Sequence, residues 1–254
     1  MSYDMSGGIV EDIEYYIEKH QKKKDRKQRK HNKGQSGLVI ENIEALTCTQ
    51  KKVFDSYYSN NNLVLHGCAG TGKTFLSTYL GIKDILEKVD NKERVIIVRS
   101  AVPSRDMGFL PGSVTDKIKV YETPYRDLMS TMFNRGDAYD ILKQRGKIEF
   151  ITTSHIRGQT WDDAIIVIDE YTNMTFQELD SIITRVGENS RLIFCGDYEQ
   201  SDLQREYEKI GSKKFRSIID KMNEFDVIEF QIEDIVRSGI CKSYLTQKHL
   251  VCSH

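Results

Sequence analysis

Between Asn62 and Ser77 the chain reads NLVLHGCAGTGKTFLS. The aliphatic run Leu63, Val64 and Leu65 has the character of a strand buried on both faces. Small residues follow, and then an amphipathic stretch of helical period. The letters fit G-x-x-x-x-G-K-[ST], with Gly67, Gly72, Lys73 and Thr74 at the fixed positions. Glycines let successive backbone N–H groups turn inward with no Cβ in the way, which makes an anion-binding nest. The helix behind adds its unpaired N–H groups and the positive end of its dipole. The expected nucleotide-binding set is Gly67, Ala69, Gly70, Thr71, Gly72, Lys73, Thr74 and Phe75. Lys73 is expected on the β- and γ-phosphates, with the Thr74 hydroxyl on Mg2+.

Working outward, the pattern alternates. A helix is expected around 47–59, a strand over 62–66 and a helix from 73 to 89, with Phe75, Leu76, Tyr79, Leu80, Ile82, Leu86 and Val89 on its apolar face. Apolar runs recur at RVIIV (94–98), KIEFITT (147–153), AIIVIDE (164–170), RLIFC (191–195) and DVIEF (226–230). Such runs separated by helices predict an α/β fold of the P-loop NTPase type. Its parallel sheet is sandwiched by helices, and ligands meet the carboxyl ends of the strands. All three prolines fall within 99–146, between two strands. That connection is too long for a simple crossover and is expected to be an insertion with helices of its own.

Polar groups cluster where those strands end. In AIIVIDE, Asp169 and Glu170 follow an aliphatic strand as a Walker B pair does: the first carboxylate for Mg2+, the second for the attacking water. RLIFCGDYEQSDL puts Gly196, Asp197 and Gln200 beyond another strand, and Gln200 could sense the γ-phosphate. Gln50, in LTCTQ at the start of a helix, could pair with the adenine edge.

The formal net charge of −1 conceals an asymmetry. Residues 19–33, KHQKKKDRKQRKHNK, carry +8, which leaves −9 for the rest. A block of like charge reads as a solvated linker or as an arm for nucleic acid. Ahead of it Ile9, Val10, Ile13, Tyr16 and Ile17 recur at helical spacing. The expected organisation is an N-terminal helix and basic arm over 1–36, an ATPase domain over 37–240 and a tail over 241–254. The five cysteines are scattered without a C-x-x-C pair, as in a reducing cytoplasm. No apolar run is long enough to span a bilayer and no signal-peptide pattern opens the chain, so no membrane association is expected. The tail groups Cys241, His249, Cys252 and His254 in no recognisable zinc spacing.

Taken together, ALTCTQ, HGCAGTGKT, VIIVRSAVPSRDMGFLPGS, TSHIRGQTWDDAIIVIDE, TRVGENSRLIFCGDYEQSDL and DIVRS resemble, in order and spacing, the PhoH-like ATPases. These are related to the amino-terminal motor half of superfamily 1 helicases. The resemblance covers about residues 45–240 and implies ATP- and Mg2+-dependent action on RNA or single-stranded DNA, with assembly into a homo-oligomeric ring. The form without a fused nuclease resembles phage members, which implies the host cytoplasm. The resemblance makes Gln50 the adenine reader, Lys73, Glu170 and Gln200 catalytic, and Thr74 and Asp169 the metal ligands. It makes Arg99, Phe109, His155 and Arg157 candidate nucleic-acid contacts, and Arg237 in DIVRS a late arginine. Because a two-domain motor completes its site from a second domain, Arg237 is expected to reach an adjacent protomer of a ring, most simply a hexamer, the alternative being that it folds back onto its own subunit. Departures are Ser100 for proline, DEYTN for DEAQN at 169–173, and Ser238 for histidine. Trp161 replaces leucine and is read as core.

Two other classes stay open. One is a nucleotide-gated binding or scaffold protein with slow hydrolysis, which DEYTN keeps in play. The other is a small-molecule P-loop kinase, disfavoured by Glu170 and Gln200.

Overall fold

The computed structural model describes residues 37–100, 114–156, 158–197 and 206–252. The chain divides between Glu41 and Asn42. Residues 37–41 carry no helix or strand, and among the described residues every helix and strand belongs to the unit from Asn42 onward.

In order, its elements are α1 (Cys48–Tyr58), β1 (Asn62–Gly67), α2 (Lys73–Glu87), β2 (Arg94–Arg99), α3 (Val114–Phe133), α4 (Ala138–Gln144) and β3 (Ile148–Thr152). There follow β4 (Ala164–Asp169), α5 (Phe176–Ile183), β5 (Arg191–Gly196), α6 (Glu206–Ile219), β6 (Phe225–Phe230) and α7 (Gly239–Cys252). The strands form a six-stranded sheet in the order β3-β2-β4-β5-β1-β6. Every pairing is parallel. This is the doubly covered α/β architecture expected from the near-continuous apolar runs. The central strands β4 and β5 are buried along their whole length, while β6 at the edge is only partly buried.

Residue alternation along each strand splits the core. Val64, Ile96, Ile166 and Phe194 pack with Leu179 and Ile182 of α5 and Phe215 and Ile219 of α6. On the opposite face α2 lies so close that a Cβ on Gly81 would meet Val95 Cγ2 at 3.1 Å and Ile165 Cγ2 at 3.2 Å. Each buried aliphatic of these faces contributes about 1.5–3 kcal/mol. Trp161 is 1% exposed and belongs to the core, its indole N–H donating to Gln159 Oε1 at 2.9 Å.

Local signals set the boundaries. Thr47 caps α1 by accepting from the Gln50 N–H at 3.1 Å. Thr175 and Glu178 form a reciprocal capping box on α5. The long connection after β2 carries α3 and α4 among its described residues. Helix α7 runs across the boundary drawn at residue 240 from sequence. Among the described residues no helix is long and apolar enough to cross a membrane.

Candidate nucleotide site and its carboxylate row

Parallel register aligns the strand ends in one row. Thr152 of β3 stands opposite Arg99 of β2, Arg99 opposite Asp169 of β4, Asp169 opposite Cys195 of β5, and Cys195 opposite Leu65 of β1. The loop after β1 and the turns after β4 and β5 therefore open on one edge of the sheet. They border a cavity of about 610 Å³, within the range of small-molecule sites.

The loop is built on left-handed glycines: Gly67 has φ 114°, Gly70 73° and Gly72 89°. At Gly67 the requirement is absolute, because a Cβ would lie 2.1 Å from the Phe230 carbonyl oxygen. That carbonyl also accepts the Cys68 N–H at 3.1 Å, so the end of β6 holds the loop. Gly72 is the N-cap of α2 and supplies no capping side chain, which leaves the first-turn N–H groups directed at the cavity edge. Lys73 donates its ammonium to the carbonyls of Gly67 at 2.8 Å and Cys68 at 2.7 Å. Burial pulls the Lys73 pKa down, against an upward pull from Asp197.

Gln50 is 3% exposed and clamps the loop from behind. Its Oε1 accepts the Leu46 N–H at 2.8 Å and its Nε2 donates to the Thr71 carbonyl at 2.9 Å. One N–H and one lone pair of the amide stay free for another partner. Ala69, Gly70, Gly72, Thr74 and Phe75 also line the cavity. Thr71 is fully buried and its hydroxyl donates to the Cys68 carbonyl at 3.0 Å.

Opposite the loop, the Thr74 hydroxyl donates to Asp169 Oδ1 at 2.7 Å. The other oxygen of that carboxylate accepts the Tyr125 hydroxyl of α3, also at 2.7 Å. Tyr125 is fully buried, and burial together with the Asp169 charge drives its pKa well above the usual phenol range. Glu170 departs from the strand in the left-handed region, φ 53°, a conformation uncommon outside glycine. Its Oε1 takes Arg99 Nη2 at 2.5 Å and its Oε2 takes Asn173 Nδ2 at 3.5 Å. Arg99, expected from the resemblance to contact a nucleic-acid strand, is thus paired with Glu170. His155 stands exposed at the far end of the row, its Nδ1 2.8 Å from Thr152 Oγ1.

Two residues that sequence reasoning did not single out, Tyr125 and Glu178, hold the turns in place together with Asp197. Tyr125 anchors Asp169 from an insertion 44 residues upstream. Asp197 exchanges hydrogen bonds with Thr172 through its carbonyl at 3.0 Å and its N–H at 3.4 Å. Thr172 is 2% exposed, so the residue that departs from the family glutamine ties the β4 and β5 turns together. Glu178 accepts from Ser100 at 3.3 Å and Thr153 at 2.5 Å, joining the ends of β2 and β3 to α5. Proline at 100 could not make the Ser100 contact.

Arg237 borders the cavity of its own chain. The Val236 N–H donates to the Gly70 carbonyl at 3.1 Å, which fastens the segment after β6 onto the chain's own loop. Arg237 Cγ accordingly lies 3.0 Å from where a Cβ on Gly70 would stand. Phe109, Arg157, Gln200 and the basic arm over 1–36 lie outside the described residues, as do the side chains of His249, Cys252 and His254.

These groups fit a nucleoside triphosphate with a divalent cation. The glycine cradle and bare helix terminus suit an anion. Thr74 and Asp169 suit a hard cation that takes its remaining ligands from phosphate oxygens and water, as Mg2+ does. Among the described residues no group of three His, Cys, Asp or Glu offers an all-protein metal cage.

The chain resembles known proteins in sequence and in fold. The family model described as PhoH-like protein matches residues 42–247. A PhoH-like protein of Synechocystis sp. is 30% identical over 196 residues, covering 77% of this chain and 58% of the relative. A PhoH-like protein of Bacillus subtilis is 30% identical over 196 residues, covering 77% of this chain and 60% of the relative. The chain thus spans somewhat over half the length of these relatives. Among solved structures, the large terminase of a thermophilic bacteriophage aligns with TM-score 0.47 and 12% identity, over 81% of this chain and 50% of that one.

Proposed function

Because the chain belongs to the PhoH-like protein family, we propose that it is a Mg2+-dependent ATPase that acts on RNA or single-stranded DNA, as a helicase or remodelling motor. The observation that carries the ATPase reading is the contact of Thr74 with Asp169 at 2.7 Å beneath a left-handed glycine loop. It brings a phosphate cradle and a metal-binding hydroxyl–carboxylate pair together, with a second carboxylate one residue on.

In this reading Lys73 leaves its loop carbonyls to neutralise the β- and γ-phosphates. The helix terminus and loop N–H groups bind the phosphate chain, and Gln50 offers its free N–H and lone pair to adenine. Mg2+ held by Thr74 and Asp169 would supply charge neutralisation. Glu170 orients the attacking water and accepts its proton. Arg237, at the wall of its own chain's cavity, supplies positive charge in cis. That position removes one reason to require a ring, and the hexamer implied by resemblance is an assembly to be measured by light scattering. A cytoplasmic setting, suggested by cysteine usage, belongs to the same proposal.

The nucleic-acid part is supported by the +8 arm over 19–33, whose phosphate attraction should weaken steeply with salt. The test is steady-state ATP hydrolysis with and without single-stranded RNA and DNA, using Glu170→Gln as the blank. Stimulation by one polymer, absent in the variant, is expected. Hydrolysis indifferent to both polymers would favour the nucleotide-gated switch instead.

A further inference from the structure

The pairing of Arg99 with Glu170 has features of a shared, exchangeable contact rather than a buried strut. Arg99 is the last residue of β2 and stands opposite Asp169 in register, so its side chain emerges at the working edge of the sheet. The guanidinium reaches Glu170 Oε1 at 2.5 Å, with side chains 22% and 46% exposed. The carboxylate side of the pair is the open one, so a competing anion can approach the guanidinium and displace it. The other oxygen of that carboxylate is held by a long bond from Asn173 at 3.5 Å.

Each partner has a second demand upon it. A guanidinium offers a planar fork of donors that matches a phosphodiester as well as it matches a carboxylate. A carboxylate oxygen engaged by a guanidinium is not free to hold and orient a water. From these facts we propose that Arg99 is a phosphodiester-binding residue which Glu170 holds until a single strand binds, so that strand binding frees the carboxylate for catalysis. The proposal rests on the nucleic-acid reading above and specifies how that partner controls the ATP site.

Coupling of this kind is reciprocal: whatever the strand does to Glu170, loss of the Glu170 charge must do to the strand. The test therefore needs no turnover. Binding of fluorescein-labelled oligouridine and oligothymidine is followed by anisotropy, without nucleotide, for wild type, Glu170→Gln, Arg99→Ala and the double variant. Glu170→Gln is expected to bind the preferred strand roughly two- to fivefold more tightly, the worth of a partly exposed ion pair. Arg99→Ala is expected to bind more weakly, and the double variant to match it. An unchanged affinity of Glu170→Gln overturns the proposal. So does a gain that persists without Arg99, since it would report only lost negative charge. A parallel hydrolysis assay should show Arg99→Ala with a raised basal rate and no stimulation, and a fall in basal rate would make Arg99 a support for Glu170 instead. If wild type binds neither oligonucleotide, the nucleic-acid reading itself fails and the latch falls with it. That outcome is distinct from binding without coupling.

Discussion

The Tyr125 hydroxyl donates to Asp169 Oδ2 at 2.7 Å while Thr74 holds Oδ1 at the same distance. The carboxylate at the end of β4 is therefore fixed from two sides, by the phosphate-loop helix and by the insertion. Tyr125→Phe keeps the ring packed against Phe150, at 5.5 Å between centroids, and removes the donor alone. A hydrogen bond to a charged group is worth about 1.5–3 kcal/mol. The variant should remain folded but need more Mg2+ for half-maximal hydrolysis, measured by titrating the cation at saturating ATP. An unchanged Mg2+ dependence would reduce Tyr125 to packing.

Gln50→Ala removes both the clamp on the Thr71 carbonyl and the free edge of the amide. Loop support is lost to any nucleotide, whereas pairing with adenine is lost to one. Competition binding should show the affinity for ATP falling further than that for GTP. Equal losses would leave Gln50 as a buttress of the loop.

Gly67→Ala places a methyl group 2.1 Å from the Phe230 carbonyl oxygen in a left-handed backbone. Relief would require β6 to separate from the loop, so a loss of about 3 kcal/mol or more is expected in urea unfolding. Gly146→Ala is the control: its φ is 65° but nothing lies within 4 Å of the added carbon. It should lose only about 1–2 kcal/mol, the cost of the conformation itself.

The cysteines separate by environment. Burial pushes the Cys195 thiol up to about 12, so at pH 8 it is protonated as well as enclosed. Cys48 and Cys241 are exposed and Cys68 is intermediate, within the phosphate loop. Alkylation of the native protein at pH 8, read by mass spectrometry, should label Cys48 and Cys241 readily and spare Cys195. Among these four, ATP should slow labelling of Cys68 alone. Rapid native labelling of Cys195 would show that the sheet opens far more easily than its burial implies.

What could be read from the chain was what is written locally. Gly67, Gly72, Lys73 and Thr74 announce themselves because a phosphate loop needs those residues within a few positions of one another. The strands before Asp169 and Gly196 announce themselves because burial on both faces demands unbroken aliphatics. Tyr125 carried no such mark. Its partner lies 44 residues away, and along α3 it looks like one more apolar ring. Arg99 meets Glu170 across 71 residues through the β2–β4 register, and strand order has no signature in a single sequence. The same holds for Arg237, whose place beside its own loop follows from the Val236–Gly70 backbone bond.

The attachment of the loop to Phe230 and Val236 also sets when the site can exist. On the ribosome the residues that cradle phosphate emerge early, yet both flanking strands of β1, β5 and β6, are made much later. Until β6 and the segment behind it have left the exit tunnel, Cys68 has no carbonyl to bond and Gly70 no amide. A nascent chain can thus display the complete phosphate-loop signature without being competent to hold a nucleotide. Synthesis must run nearly through the domain before the first motif acquires its shape.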